Sequence, residues 1–187
     1  MIRTILALFT LAAALSAAPV GYRVFVDTSV FAGLDGQAEF QFNPGGVPDA
    51  ATATLSGLAG IASYSENSRT GDVAGTDPWV FSNTQALNML VLNLQGLTSV
   101  FSFQIVFSGD AIDNPVSFDG TAFALTMRDS SGVVLSGFSE PTLWLDLTGG
   151  VFTTFIQDPQ IELADIPEPS TIGLLLSGVL FGLLRKR

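Results

Sequence analysis

Hydrophobic and polar residues alternate with a period of two through much of the chain between about Tyr22 and Ala164. That spacing turns one face of a strand toward a core and the other toward water. In Ala38–Asn43 (AEFQFN), Phe40 and Phe42 share one face while Glu39 and Gln41 take the other. Phe101, Phe103, Ile105 and Phe107 fall together in Val100–Ser108, and Phe123, Leu125 and Met127 do so in Thr121–Asp129. Leu143, Leu145 and Leu147 form a third such row in Leu143–Thr148. Val151–Gln157 (VFTTFIQ) is less regular, but its β-branched and aromatic residues also favour a strand. Roughly nine or ten short strands at this spacing predict an all-β fold, a single antiparallel β-sandwich or jelly-roll-like domain.

Turn residues separate these runs. Asn43–Gly46 (NPGG) fits a tight turn with Pro at its second place. Asp129–Gly132 (DSSG) and Thr148–Gly150 (TGG) each predict a hairpin connection. In Asn83–Gly96, Ala86, Leu87, Leu90, Val91 and Leu94 would line a helix, while Leu90, Leu92 and Leu94 alternate as in a strand; the company of other strands favours the strand. Tyr64–Pro78 is polar and Gly-rich and predicts a long surface loop.

Composition narrows the chemistry. Only 13% of the 187 residues are charged, against about 25% in average soluble domains. Between Pro19 and Pro169 three arginines, Arg23, Arg69 and Arg128, face all 17 acids, a formal charge of about −14. Such a surface repels phosphate backbones and argues against nucleic acid as a partner. With no Cys and no His, disulfides, zinc–thiolate sites, catalytic Cys and His general bases are excluded.

The first residues, MIRTILALFTLAAALSAAP, run from a basic start at Arg3 through an apolar stretch, Ile5–Leu15, to small residues. This is the order of a secretory signal peptide, assigned to residues 1–18. Cleavage after Ser16 or Ala17 is favoured over Ala18, which Pro19 follows. Its route out of the cytoplasm would be the Sec translocon.

The body, residues 19–165, offers residues for three chemistries. Asp110, Asp113, Asn114 and Asp119 cluster in Ser108–Gly120 and are candidate Ca²⁺ ligands; Asp72 and Asp77 offer a second oxygen-rich loop. Neither stretch has EF-hand spacing, and Asp and Asn also shape turns. Trp79 and Trp144, with Tyr22 and Tyr64, are candidates for stacking on a sugar, with Trp144 on the strand face opposite Leu143 and Leu145. A paired-carboxylate glycoside hydrolase would draw on Asp27, Glu39, Glu66, Asp110, Asp113, Asp119, Glu140 and Glu162.

The C-terminal segment, residues 166–187, carries the most specific signal. Thr171–Leu184 is 14 residues without a charge, about 20 Å as a helix against a hydrocarbon core of about 30 Å. Arg185, Lys186 and Arg187 would hold that end in the cytoplasm, and Gly178 and Gly182 would let another helix approach. Pro167–Glu168–Pro169 cannot enter a helix interior and stays extended ahead of it.

With Ser170, this triad, the apolar helix and the basic end resemble the PEP-CTERM sorting signal of Gram-negative bacteria. The resemblance implies recognition by an exosortase, removal of the tail, transient tethering to the inner membrane and delivery to the cell surface or beyond. It also implies an association with extracellular polysaccharide and biofilm. Within the body, Val26–Gly33 (VDTSVFAG), Phe40–Gly46 (FQFNPGG), Thr52–Leu58 (TATLSGL) and Gly120–Gly132 resemble one group of such proteins, a group of no assigned activity. The expectation is therefore a secreted, non-enzymatic envelope or matrix protein, structural or adhesive; the alternatives are a calcium-assisted carbohydrate-binding module and a two-carboxylate hydrolase. Replacing Pro167 and Pro169 with Ala is expected to leave the precursor uncut in the inner membrane of its host, as read by membrane fractionation and immunoblot. Normal processing of that variant would refute the sorting assignment.

Overall fold

The alternating segments fold as strands. The computed structural model describes residues 20–46, 49–113, 120–149 and 151–166, and among these there are twelve strands. They are β1 (Val20–Asp27), β2 (Gly36–Asn43), β3 (Thr52–Ala59), β4 (Ser63–Thr70), β5 (Val73–Gly75), β6 (Trp79–Ser82), β7 (Met89–Gln95), β8 (Val100–Ser108), β9 (Ala122–Asp129), β10 (Leu143–Thr148), β11 (Val151–Gln157) and β12 (Ile161–Asp165). A single 3₁₀ turn, Ser29–Phe31, and a four-residue helix, α1 (Asp110–Asp113), are the helical elements among the described residues. The signal peptide and the Pro-Glu-Pro segment with its helix lie outside the described residues.

Two antiparallel six-stranded sheets result, in the orders β12-β1-β8-β3-β6-β5 and β11-β10-β9-β2-β7-β4. The predicted inward rows are buried as expected: Phe40 and Phe42; Phe101, Phe103, Ile105 and Phe107; Phe123, Leu125 and Met127; Leu143, Leu145 and Leu147. They meet in one core between the sheets. Phe40 packs edge-on against Phe103 at 5.2 Å between ring centroids, and Phe107 stacks on Phe152 at 3.8 Å. Such pairs join the two sheets directly, because Phe103 and Phe107 belong to one and Phe40 and Phe152 to the other.

Two buried asparagines are satisfied by the loops they organise. Asn88, fully buried, donates to the Phe42 and Gln85 carbonyls and accepts from the Asp72 amide. Asn83 accepts from the Ala51 amide and donates to the Asp49 carbonyl and Thr121. At Gly60 (φ +81°), where β3 gives way to the turn into β4, a Cβ would run into the Val100 carbonyl, so only Gly fits.

Two expectations change, and a third segment folds as the alternation indicates. Tyr64–Pro78 is not one long loop: β4 pairs with β7, and β5 pairs with β6. Every residue of β4 except Arg69 is exposed, because it is an edge strand held by backbone bonds, with no apolar row to betray it. Asp129–Gly132 does form a tight turn, Asp129 Oδ1 accepting from the Ser131 and Val133 amides. The returning chain makes only an isolated bridge, Arg128 to Val134, and the true partner, β10, starts at Leu143. Asp158 imposes this detour by accepting from the Ser139 amide and hydroxyl, both at 2.7 Å. Asn83–Gly96 splits into a turn and β7, whose Leu90, Leu92 and Leu94 are buried, as the alternation indicates.

β1 begins beside the end of β12. Tyr22 pairs with Asp165, and the Ile166 amide donates to the Gly21 carbonyl at 2.9 Å. Both termini of the domain thus leave at the same end. Phe107→Ala is expected to cost about 3–5 kcal/mol, since it opens a cavity at the junction of the sheets. Phe155→Ala, on the exposed face, should change stability by about 0.5 kcal/mol or less. Urea unfolding of the two variants checks this, and equal losses would contradict the assigned core.

Candidate functional site

The outer face of the second sheet gathers the side chains best suited to contact a ligand. Gln37, Glu39, Gln41 and Asn43 alternate outward from β2, each half-buried, while the residues between them fill the core. They form a hydrogen-bonded ladder. Asn43 Nδ2 donates to Gln41 Oε1 at 2.8 Å, and Gln41 Nε2 donates to Glu39 Oε1 at 2.6 Å. Arg128 Nε donates to Glu39 Oε2 at 3.2 Å, and a second guanidinium nitrogen donates to Glu140. Gln37 Nε2 extends the row sideways to Asn93 Oδ1 at 3.1 Å.

Small residues lie next to this ladder. Gln41 is in register with Ala124, and Ala124 with Trp144; Asn43 is in register with Ala122, and Ala122 with Asp146. Trp144 and the amide of Gln41 therefore flank Ala124 across two strand spacings, on the order of 10 Å. The partly exposed alanines rise little above the sheet and leave a trough between an aromatic wall and a polar one. Phe155 enlarges the aromatic wall: its ring centroid is 6.1 Å from that of Trp144, and it is 74% exposed. A β-bulge presents it, because pairing slips from Leu145–Thr154 to Trp144–Ile156 and leaves Phe155 as an extra residue on β11.

Trp79 proves unsuited to stacking on a sugar. It is 2% exposed, lies beside Phe81 in the core and meets Tyr64 edge-on at 5.6 Å. A faces-inward position was legible in the pattern, since Trp79 and Phe81 are two residues apart on β6. Its buried indole N–H is directed to the Glu66 carboxylate, which it helps to hold in the charged form. Around it, the edges of the two sheets are clamped together. Arg69 on β4 donates to Glu66 and to the carbonyls of Val73 and Gly75 on β5, and Tyr64 donates to Asp77. Tyr22, also half-buried, donates to the Phe152 carbonyl.

The candidate calcium ligands Asp110 and Asp113 are exposed on α1, while Asn114 and Asp119 lie outside the described residues. Among the described residues no group of three or more carboxylates converges for a metal. Asp72 accepts from Thr84, and Asp77 from Tyr64, so both are engaged in turn structure. Of the acids considered for hydrolysis, Glu39 and Glu140 share Arg128, and Glu66 is held by Arg69. Pro167, Glu168, Pro169, Ser170, Arg185, Lys186 and Arg187 lie outside the described residues. No family model, curated protein or solved structure matches the chain.

The Glu66 carboxyl is held below its ordinary value of 4.5, chiefly by its hydrogen bond to Arg69. A lowered folded-state value means that this contribution is complete above pH 4.5 and is lost as pH falls through the lowered value. Because the pair is exposed, the contribution is at most about 1 kcal/mol. Glu66→Gln should be less stable than the parent at neutral pH, with the gap closing in acid, as followed by urea unfolding across pH. A gap that does not vary with pH would remove the ion pair from the account.

Proposed function

We propose that this chain is a secreted, non-enzymatic protein of the cell surface or extracellular matrix that contacts polysaccharide through the outer face of its second sheet. The single observation that carries this reading is the trough over Ala122 and Ala124, bounded by Trp144 and Phe155 on one side and by Gln41 and Asn43 on the other. A pyranose ring is amphipathic: its C–H face packs on an aromatic ring, and its hydroxyls need donors and acceptors at the rim. The ladder from Asn43 to Arg128 supplies both, already oriented by its own hydrogen bonds. A sheet face also suits a long polymer, because it is open at both ends.

Export and sorting enter through the tail resemblance. The signal peptide would direct secretion, and the Pro-Glu-Pro segment would pass the chain to an exosortase. Emergence of both termini at one end of the domain is consistent with a tether that leaves the sheet faces clear. The strand order β1-β8-β3-β6 opposite β2-β7-β4 supports a jelly-roll winding, with β9 to β12 added at the borders. The shared Arg128 favours binding over hydrolysis by Glu39 and Glu140, since both carboxylates are tied to one guanidinium.

Titrating the mature protein with neutral oligosaccharides, by calorimetry or affinity electrophoresis in polysaccharide gels, tests the reading. Trp144→Ala is expected to weaken binding roughly tenfold, the equivalent of about 1.4 kcal/mol of lost stacking. Unchanged binding in that variant, or no binding by the parent across a panel of host polysaccharides, would reject it.

A further inference from the structure

The opposite sheet carries a concavity of its own. A cavity of about 510 Å³ opens on its outer face, where β12, β1 and β8 meet the loops at their ends. That volume falls within the range of small-ligand sites, about 300–1,000 Å³. Phe25, half-buried, stands in register between Glu162 of β12 and Ser102 of β8 and lines the cavity. One pleat further along β1, Asp27 pairs with Val100, and the hydroxyls of Ser29 and Ser99 complete the rim.

Asp27 and Glu162, like most acids of this chain, make no ion pair among the described residues, and Arg23, one pleat from Phe25 on β1, bridges to neither. No basic side chain lines the cavity. Asp27 Oδ1 accepts from the Ser29 amide at 2.9 Å, which fixes the carboxylate at the rim. Hydrogen bonds from the Ser29 side chain and backbone hold the Asp27 carboxyl below its ordinary value, the opposite of what a general acid needs.

We infer that this cavity takes the protonated amine of an amino sugar, with the ring packed on Phe25, the ammonium between Asp27 and Glu162, and ring hydroxyls at Ser29 and Ser99. An anionic ligand would be repelled by both carboxylates. A neutral one gains no charge attraction from the two exposed carboxylates. A bare metal ion makes no use of Phe25, while an ammonium gains from the ring face as well as from the acids. A basic peptide side chain would satisfy the charge and leave the hydroxyl rim idle. The choice of a sugar as the carrier of the amine rests on the matrix reading above; the preference for an organic cation does not.

Calorimetric titration of the mature protein with a glucosamine oligomer, its N-acetylated counterpart of equal length, and trilysine tests this. The glucosamine oligomer is expected to bind roughly tenfold or more tighter than the other two, and to weaken with added salt. Asp27→Asn combined with Glu162→Gln should lose roughly tenfold or more of that affinity, with thermal unfolding confirming that the variant is folded. Trp144→Ala should leave it unchanged, even if that same variant abolishes, or the parent never shows, binding of neutral sugars. Equal affinity for the amine and N-acetyl forms, or full affinity in the double variant, overturns the proposal, as does no binding at all. Trilysine binding as tightly overturns the sugar assignment, and loss of glucosamine binding in Trp144→Ala assigns the binding to the other sheet.

Discussion

The contact between phenylalanines of opposite sheets is the constraint on which the rest of the structure depends. With no cysteine in the chain and almost no helix among the described residues, little else holds the two sheets in one arrangement. Phe107 is the junction: it stacks on Phe152 and also touches Phe42 and Phe123, all from the other sheet. Phe103 repeats the pattern with Phe40 and Phe123. Burying each such ring is worth about 1.5–3 kcal/mol, and the edge-on and stacked geometries add to that. Because strands alternate, every ring committed to this interior fixes its neighbours on the outside. The aromatic core therefore also decides which side chains are offered to solvent.

Those outer faces differ in character because the sequence fills them differently. On the second sheet, amides and one shared arginine form a continuous ladder beside small residues, with Trp144 and Phe155 standing above them. On the first, Phe25 is set among acids that no arginine neutralises. The edges are managed separately. β4 is almost wholly polar, carries a bulge between Glu66 and Ser68, and is tied by Arg69 to the facing edge. An edge so polar and distorted resists pairing with another chain.

Much of this was legible in the sequence. The rows of Phe and Leu two residues apart predict the inward faces of β2, β8, β9 and β10, and the same parity sends Trp144 outward. β4 was missed because its stability comes from backbone bonds to β7, and its side chains carry no periodic signal. The turn residues at Asp129–Gly132 point to a simple hairpin because the residue that holds the detour, Asp158, lies far along the chain. Residue type alone makes Trp79 a sugar platform, but its spacing from Phe81 places it inside. Phe155 escaped notice because a bulge, which depends on the register of two strands, sets its exposure. Asp27 and Glu162 were legible as acids, but only strand pairing brings them to one cavity beside Phe25.

The central claim is that the second sheet's outer face meets polysaccharide while the first sheet's interior row stays untouched. Mapping NMR shift changes of the mature protein upon addition of its host's neutral polysaccharide measures this most directly. The account predicts that the Trp144 indole N–H and the side-chain amides of Gln41 and Asn43 move most, with Trp79 and Asn83 unmoved. Shifts confined to other surfaces, or none at saturating polysaccharide, would contradict it.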